Sequence, residues 1–157
     1  MNVKPDSCKN CVLHNVGHGF VPDDSKDSQV SILALSPSKD DVQGRHLVGY
    51  AGKGQPIYET TTPKPFIGAA GWILDQTYLP AAGLTRDQVS IHHILKCYTP
   101  HPPTGDTLQS AMHHCIKAHL NITDESKVLV TMGKEPWELF QGSLPLTDWR
   151  GFQGPKK

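Results

Sequence analysis

Three short apolar runs stand between polar segments of this chain, at 29–35, 89–95 and 127–132. Each run has the length of a strand rather than of a helix, and proline or glycine follows soon after it. Strands that are apolar throughout are typical of a parallel sheet that is covered on both faces. The pattern therefore predicts a small buried sheet at the centre of the fold.

Helix signals occupy the segments between and after these runs. Residues 66–82 show apolar positions at helical spacing, with Pro80 near the end. The predicted buried face of this helix holds Ile73, Leu74, Thr77, Tyr78 and Ala81. N-cap residues at 104–107 predict a helix through Leu120, and a shorter helix at 135–140 accepts Pro136 in its first turn. Strands that alternate with helices predict an α/β fold with a parallel sheet.

Two segments show neither the helical nor the strand periodicity of apolar residues. Residues 1–28 are polar and aperiodic, which predicts a loop-like arm held in place by its cysteines. Residues 44–65 are rich in glycine, threonine and proline, and a loop of this length in a compact domain is typically functional or disordered. We expect one domain over 1–157, with the arm and the loop insertion as parts of it.

Charge and hydropathy narrow the setting of the protein. Fifteen basic and fifteen acidic residues balance, so no global field marks a nucleic-acid partner. No run of 18 apolar residues exists, so we expect no membrane span, and the first residues lack the apolar core of a signal peptide. These features predict a cytoplasmic protein, or one in the host cytoplasm if the chain is viral.

The four cysteines are the strongest chemical signal. Cys8 and Cys11 form a C-x2-C pair, and Cys97 and Cys115 are set far apart behind the second apolar run. In a cytosolic protein four cysteines indicate metal ligands rather than two disulfides. The wide spacing of the second pair favours an iron–sulfur cluster whose ligands come from both ends of a domain, although zinc also accepts four thiolates.

Several motifs resemble one family in order along nearly the whole chain. They are Cys8-x2-Cys11, the Pro-Phe-Ile-Gly-Ala-Ala-Gly motif at 65–71, the Ala-Gly-Leu-x-Arg-Asp-x-Val stretch at 82–89, the Lys-Cys pair at 96–97, and Cys115. This set resembles the family 4 uracil-DNA glycosylases, which are 4Fe-4S members of the uracil-DNA glycosylase superfamily. The resemblance implies a three-layer α/β/α fold with a short parallel central sheet, and a 4Fe-4S cluster bound by Cys8, Cys11, Cys97 and Cys115.

The resemblance also implies residues that bind the base. In these hydrolases of DNA repair, an aromatic residue of the 65–71 motif stacks on the flipped uracil, and by position this residue is Phe66. A competing alignment with the similar stretch 44–49 would place Leu47 there. An asparagine that reads the uracil edge matches His93, whose neutral imidazole offers one donor and one acceptor. The neighbouring His92 should face the opposite side of the strand.

Two departures from the family pattern concern catalysis. The family's acid near the attacking water is replaced here by Leu35, and Asp40 or Asp41 could substitute for it, although we favour a solvated turn for both. The family's His-Pro-Ser motif and final strand have no match after Phe152, which predicts a chain that is truncated at its C-terminus. No catalytic residue is therefore assigned.

These observations support two main functions. The first is base excision from DNA, by flipping and releasing uracil or a related base. The alternative is an inactive iron–sulfur module that binds single- or double-stranded DNA, or the N-terminal part of a replication protein such as a DNA polymerase. A weaker third option is a structural zinc protein. The expected contacts to DNA phosphates are Lys39, Arg45, Lys53 and Lys64.

Overall fold

The computed structural model describes residues 3–122 and 126–141. The strands in this part of the chain are β1 (Val30–Ala34), β2 (Arg45–Ala51), β3 (Gln55–Thr60), β4 (Val89–His93) and β5 (Val128–Met132). The α-helices are α1 (Lys39–Gln43), α2 (Ala69–Ile73), α3 (Leu79–Ala81), α4 (Gly105–His119) and α5 (Lys134–Gln141). Expectations for the segment after Phe152 lie outside the described residues. None of the described helices is both long and apolar enough to cross a bilayer.

The three apolar runs form one parallel sheet with the strand order β4-β1-β5. The strand β1 is central, and Ala34 at its carboxyl end pairs with His93 on one side and Met132 on the other. Every residue of β4 is buried, whereas Val128 and Val130 of β5 are 51% and 42% exposed. The expectation that the third apolar run is also buried is therefore wrong. The predicted α/β class with a short parallel sheet is therefore confirmed.

Apolar side chains cover both faces of this sheet. On one face, Leu33 packs with the buried side of α4, which includes Met112 and Cys115. On the other face, Ile32 and Ala34 pack with the helical segment after β3. Alternate residues of β1 therefore point into two cores, and helices on both faces give the three layers that were predicted.

The helical segment 69–81 is irregular, and the predicted buried face is wrong. A π-helical turn, Leu74–Tyr78, joins α2 to α3. Leu74 and Leu79 are the buried residues, whereas Ile73 is 48% and Tyr78 58% exposed. A π-turn adds a residue to the helical repeat, so the apolar positions fall five apart rather than four.

The predicted loop at 44–65 is a β-hairpin. The strands β2 and β3 pair antiparallel with a bulge between Leu47 and Gly49. The hairpin closes at Gly44, whose φ is +66° and whose missing Cβ would lie 2.0 Å from the carbonyl oxygen of Thr61. Because most of its residues are exposed on both faces, the sequence lacks the alternation that marks a half-buried strand. Pro56 further weakens the strand signal.

The N-terminal arm runs beside the free edge of β4. Asp24 forms an antiparallel bridge with Ile91, and His18 forms another with Tyr98. Between them the N–H of Val21 donates to the carbonyl of Lys96 at 2.7 Å. The arm therefore satisfies backbone groups at this edge of the sheet and carries its cysteines toward Cys97.

Candidate functional site

Phe66 and His93 meet at the carboxyl end of β4. Their rings are stacked, with 5.3 Å between centroids and 10° between planes. Both side chains are buried, Phe66 from the turn before α2 and His93 from the last position of the strand. The carboxyl edge of a parallel sheet is where ligands bind in open α/β folds. The two residues predicted to contact a base therefore lie together at the expected edge.

The backbone of Phe66 is held in an unusual conformation. Its φ is +56°, which a residue with a large side chain rarely adopts. Arg86 donates to the Phe66 carbonyl at 2.9 Å and also to the Pro65 carbonyl, while its own charge is paired with Asp75. A Cβ at Gly71 would lie 1.7 Å from the same Phe66 carbonyl oxygen. Strain that neighbouring residues enforce in this way is typical of functional sites.

Asp41 fixes the other side of this turn, and the expectation that it is solvated is wrong. It is 3% exposed. One carboxylate oxygen accepts the N–H of Ile67 at 2.7 Å, and the other accepts the N–H of Ser38 at 2.8 Å. Ser38 caps α1 in return, which completes a capping box. Asp41 is therefore a structural link between α1 and the turn that carries Phe66.

The four cysteines line one recess on the opposite face of the sheet. Cys97 and Cys115 belong to the apolar cluster beneath α4, and Cys8 and Cys11 reach it from the arm. All four are free thiols. Lys4, which the sequence did not single out, also lines the recess, and its ammonium donates to the carbonyls of Leu13 and His14.

With this geometry in place, a family model described as the uracil DNA glycosylase superfamily matches residues 21–154. The chain belongs to the uracil-DNA glycosylase superfamily.

Curated relatives in this superfamily are similar over part of the chain. It is 26% identical to a type-4 uracil-DNA glycosylase of Archaeoglobus fulgidus, over 71% of this chain and 48% of the relative. Against the Sulfurisphaera tokodaii type-4 enzyme the identity is 27%, over 82% of this chain and 50% of the relative. Against the type-4 enzyme of Thermotoga maritima the identity is 31%, over 58% of this chain and 47% of the relative. The chain spans about half the length of these curated relatives.

The recess suits a group that binds several thiolates. Burial, followed by the charges of the neighbouring thiols, raises the pKa of Cys115 to about 11. Burial likewise raises the pKa of Cys8 and of Cys97, and the positive charge of Lys4 partly opposes both shifts. The buried thiols of Cys8, Cys97 and Cys115 therefore resist ionisation despite the nearby ammonium of Lys4, and a bound metal group would stabilise their thiolate forms.

Four thiolates could hold either a zinc ion or an iron–sulfur cluster, in which the ligands bind separate iron atoms. Within the described ranges, no group of three or more His, Cys, Asp or Glu side chains is arranged to hold a metal ion. Gly17 preserves the space, because a Cβ there would lie 2.5 Å from the sulfur of Cys97. The residues present therefore fit a cluster.

A buried charged group lies between the recess and the Phe66–His93 pair. Nδ1 of His92 lies 3.2 Å from one oxygen of Asp23, and the ammonium of Lys96 pairs with the other oxygen. Lys96 also donates to the carbonyl of His93 at 2.7 Å. No sequence signal predicts this group, because Asp23 lies in the aperiodic arm, and only the fold brings it beside β4.

Electrostatics in this group keep His93 neutral. Burial, followed by the charge of Lys96, lowers the pKa of His93 to about 3. Burial alone would raise the pKa of Asp23, but the hydrogen bond with His92 and the charge of Lys96 outweigh it, so that pKa is lowered. Among the described residues Nδ1 of His93 has no hydrogen-bond partner, although it is buried. His92 faces Asp23 and His93 faces Phe66, in keeping with their alternation along the strand.

The structure separates Leu35, which stands in place of the family's acid, from Asp40, one of the two residues that could substitute for it. Leu35 packs against the apolar core on the cysteine side of the sheet, whereas Phe66 belongs to the core on the other side. Asp40 lies near the turn that carries Phe66, since a Cβ at Gly68 would lie 3.1 Å from its carboxylate. The hydroxyl of Tyr58 donates to the Asp40 carboxylate at 3.4 Å. The side chain of Asp40 remains partly exposed. Asp40 is thus a partly exposed carboxylate beside the turn that carries Phe66.

Leu47, the alternative to Phe66, has another role. It is 2% exposed, and its N–H donates to the carbonyl of Ile67 at 2.8 Å. It therefore anchors the hairpin to the turn. Of the predicted DNA contacts, Arg45 and Lys53 lie on the hairpin, Lys39 begins α1, and Lys64 follows β3.

Proposed function

We propose that this chain is the DNA-binding and base-releasing part of an iron–sulfur uracil-DNA glycosylase. The observation that carries the proposal is the stack of Phe66 on His93 at the carboxyl end of β4, in a turn strained to φ +56°. An enzyme that acts on a base must take it out of the helix and hold it in a pocket between flat or apolar side chains. A strained aromatic residue beside a buried imidazole supplies that kind of pocket.

Entry of a base requires the two rings to separate. A base between parallel rings needs about 7 Å from centroid to centroid, twice the van der Waals separation of stacked atoms. The present distance is 5.3 Å. We infer that the imidazole turns aside and leaves Phe66 to stack on the base. Nδ1 of His93, which has no partner among the described residues, then becomes available to the base edge.

His93 recognises the base as a neutral group. Its pKa of about 3 leaves one ring nitrogen as a donor and the other as an acceptor at neutral pH. The donor suits a carbonyl oxygen such as O4 of uracil. A single imidazole contact specifies less than the paired contacts of an amide, so related bases with a carbonyl at that position are also candidate substrates.

Asp40 is our candidate for orienting the attacking water. In the hydrolysis, the bond between C1′ and N1 of uracil breaks, and the base leaves with the electron pair. The oxygen of water bonds to C1′, and the proton that the water loses passes to a proton acceptor of the protein. A nearby carboxylate stabilises the positive sugar and accepts that proton. The carboxylate of Asp40 is held by the hydroxyl of Tyr58 at 3.4 Å and by the guanidinium of Arg45 at 3.6 Å.

Cys8, Cys11, Cys97 and Cys115 would hold a 4Fe-4S cluster in the recess. The cluster would cross-link the arm to the end of β4 and to α4. Metal coordination would stabilise the thiolates of the three buried cysteines and of the partly buried Cys11.

Release of uracil from a labelled single-stranded oligonucleotide tests this function. We expect cluster-loaded protein to create alkali-labile abasic sites. Phe66→Ala should slow release by about 10- to 100-fold, the range expected from loss of one stacked base. Phe66→Leu, which keeps apolar volume without a π face, should be almost equally slow. No release by the wild-type protein, with salt-dependent DNA binding retained, would instead support a non-catalytic DNA-binding module.

Asp40→Asn separates catalysis from binding in the same assay. We expect kcat to fall by about 100-fold or more, because general base catalysis contributes factors of this size, while DNA affinity changes little. Asp87→Asn, at an exposed position in the turn before β4, is the matched control and should behave as the wild type does. Equal rates for Asp40→Asn and Asp87→Asn would remove Asp40 from the mechanism.

The low pKa of His93 also predicts how stability depends on pH. An unfolded histidine titrates near 6.5 and the folded group near 3, so between these values only the unfolded chain gains the proton. The free energy of unfolding should fall with decreasing pH across this window, by on the order of 1 kcal/mol per pH unit. Above about pH 6.5 the stability that depends on neutral His93 is fully present.

Thermal midpoints measured from pH 7.5 downward check this prediction. The difference between wild type and His93→Asn should shrink as the pH falls, because asparagine does not titrate. His113→Asn, at an exposed position on α4, should leave the pH dependence unchanged. Parallel curves for wild type and His93→Asn would show that His93 is not held neutral.

A further inference from the structure

We propose that the β2–β3 hairpin is a platform for single-stranded DNA, with Tyr50 as its stacking residue and Lys53 as a phosphate contact. The proposal deepens the proposed function, since it assigns the strand that flanks the flipped base. Three independent features support it, namely the position of the hairpin, its exposed aromatic ring and its charge.

The hairpin is joined directly to the turn that carries Phe66. Leu47 donates its N–H to the carbonyl of Ile67, and Tyr58 reaches across to Asp40. An isolated two-stranded hairpin is marginally stable, so these contacts hold it in a fixed place beside the candidate site. DNA bound at Phe66 must therefore pass close to the hairpin.

Tyr50 is presented in a form suited to base stacking. It is 49% exposed, although a large aromatic ring normally favours burial. Trp72 supports it in a T-shaped contact, with 5.8 Å between ring centroids and 81° between planes. A ring that is fixed from one side and open to solvent on the other can stack on an unpaired base at small entropic cost. Duplex DNA offers no such base face, which is why the single strand is the favoured partner.

Charge on the segment is complementary to a DNA backbone. Residues 45–64 contain three basic side chains, Arg45, Lys53 and Lys64, against a single acid, Glu59, in a chain whose net charge is zero. Lys53 lies in the exposed turn between the strands, and its φ of +62° fixes it at the tip. Arg45 lies 4.2 Å above the Tyr58 ring and is 47% exposed. Positive charge beside an exposed aromatic ring is typical of single-strand binding surfaces.

Fluorescence anisotropy with labelled, uracil-free oligothymidylate tests the platform. Tyr50→Ala should weaken binding by about tenfold or more, the usual effect of removing one stacking ring. Tyr50→Phe should bind nearly as the wild type does, because it keeps the ring. Tyr78→Ala removes another exposed tyrosine, on the π-helical turn, and should leave affinity unchanged.

The salt dependence of binding tests Lys53 separately. Lys53→Ala should reduce the slope of log Kd against log salt concentration by about one, as expected for one lost phosphate contact. Lys117→Ala, at an exposed position on α4, should keep the slope. The Lys53 measurement also remains informative if Tyr50→Ala disturbs folding, since Lys53 is exposed in a turn.

The outcomes separate this proposal from the proposed function. Because the oligonucleotide carries no uracil, weaker binding by the hairpin variants supports the platform whether or not the protein releases bases. Wild-type affinity and salt slope in both hairpin variants would overturn it, even in an active glycosylase. Loss of duplex binding alone, with oligothymidylate binding intact, would also overturn it.

Discussion

Replacing Cys97 with alanine should abolish binding of the proposed 4Fe-4S cluster and lower the thermal midpoint of the cluster-loaded protein by about 10 °C or more. A metal group that binds only the folded chain contributes its binding free energy to folding, and several kcal/mol correspond to a shift of this size in a chain of this length. Cys97 lies four positions after the end of β4, in the buried segment that follows the strand, so its loss removes the ligand that joins the sheet to the arm.

The arm should loosen together with the cluster. Outside the recess, the arm meets this end of the sheet through hydrogen bonds such as that from Val21 to Lys96 and through the His18–Tyr98 bridge. Limited proteolysis of Cys97→Ala should therefore cut within the first 28 residues before it cuts elsewhere. The same is expected of Cys115→Ala, which removes the ligand on α4.

Gly17→Ala offers a graded version of the experiment. It keeps all four sulfurs but places a Cβ 2.5 Å from the sulfur of Cys97, so cluster content should drop without vanishing. Ser36→Ala, an exposed substitution, is the control. Full iron content in Cys97→Ala would exclude Cys97 as a ligand. One zinc per chain without sulfide in the wild-type protein would show that the recess is a zinc site and not a cluster site.

Local apolar runs made the sheet and its core predictable. The three runs are short and mostly apolar, and those of β1 and β4 are buried, as is typical of strands in a parallel sheet. The cysteines were predictable as a set because four thiols in one chain have few other roles. Phe66 and His93 were predicted through the resemblance and remain a prediction, since a single aromatic residue or histidine carries no site signal by itself.

Tertiary contacts decided what the sequence left undetermined. The hairpin has no buried face to impose alternation, so its strands depend on contacts with the 65–71 turn. The shift of the buried face to Leu74 and Leu79 follows from one π-turn, which local periodicity does not encode. Asp41 resembled a solvated acid because its two backbone partners lie in different segments, at Ser38 and Ile67.

The buried pair of Asp23 and Lys96 leads to the second large prediction. Asp23→Leu should lower the free energy of unfolding by about 3–5 kcal/mol, because it leaves the Lys96 ammonium buried without a counter-charge. The side chain of Lys96 is 2% exposed and that of Asp23 9%, so water cannot replace the lost partner. Chemical denaturation of cluster-loaded protein under anaerobic conditions measures the change.

The double variant Asp23→Leu/Lys96→Met distinguishes a missing charge from a damaged fold. Apolar residues that replace both members of a buried ion pair often restore the stability that removal of one member destroys. We expect the double variant to recover most of the loss and to keep its iron, because Cys115 accepts a hydrogen bond from the backbone of Lys96 rather than from its side chain. A double variant no more stable than Asp23→Leu would show that the loss came from packing in the arm.

Uracil release in the same double variant then isolates the second role of Lys96. Its ammonium donates to the carbonyl of His93, and the double variant removes this bond without leaving a buried charge. If that bond positions the imidazole, KM for the uracil oligonucleotide should rise while stability and iron content stay near wild type. Unchanged KM would mean that packing against Phe66 alone orients His93, and the ion pair would then serve only to fasten the arm to the sheet.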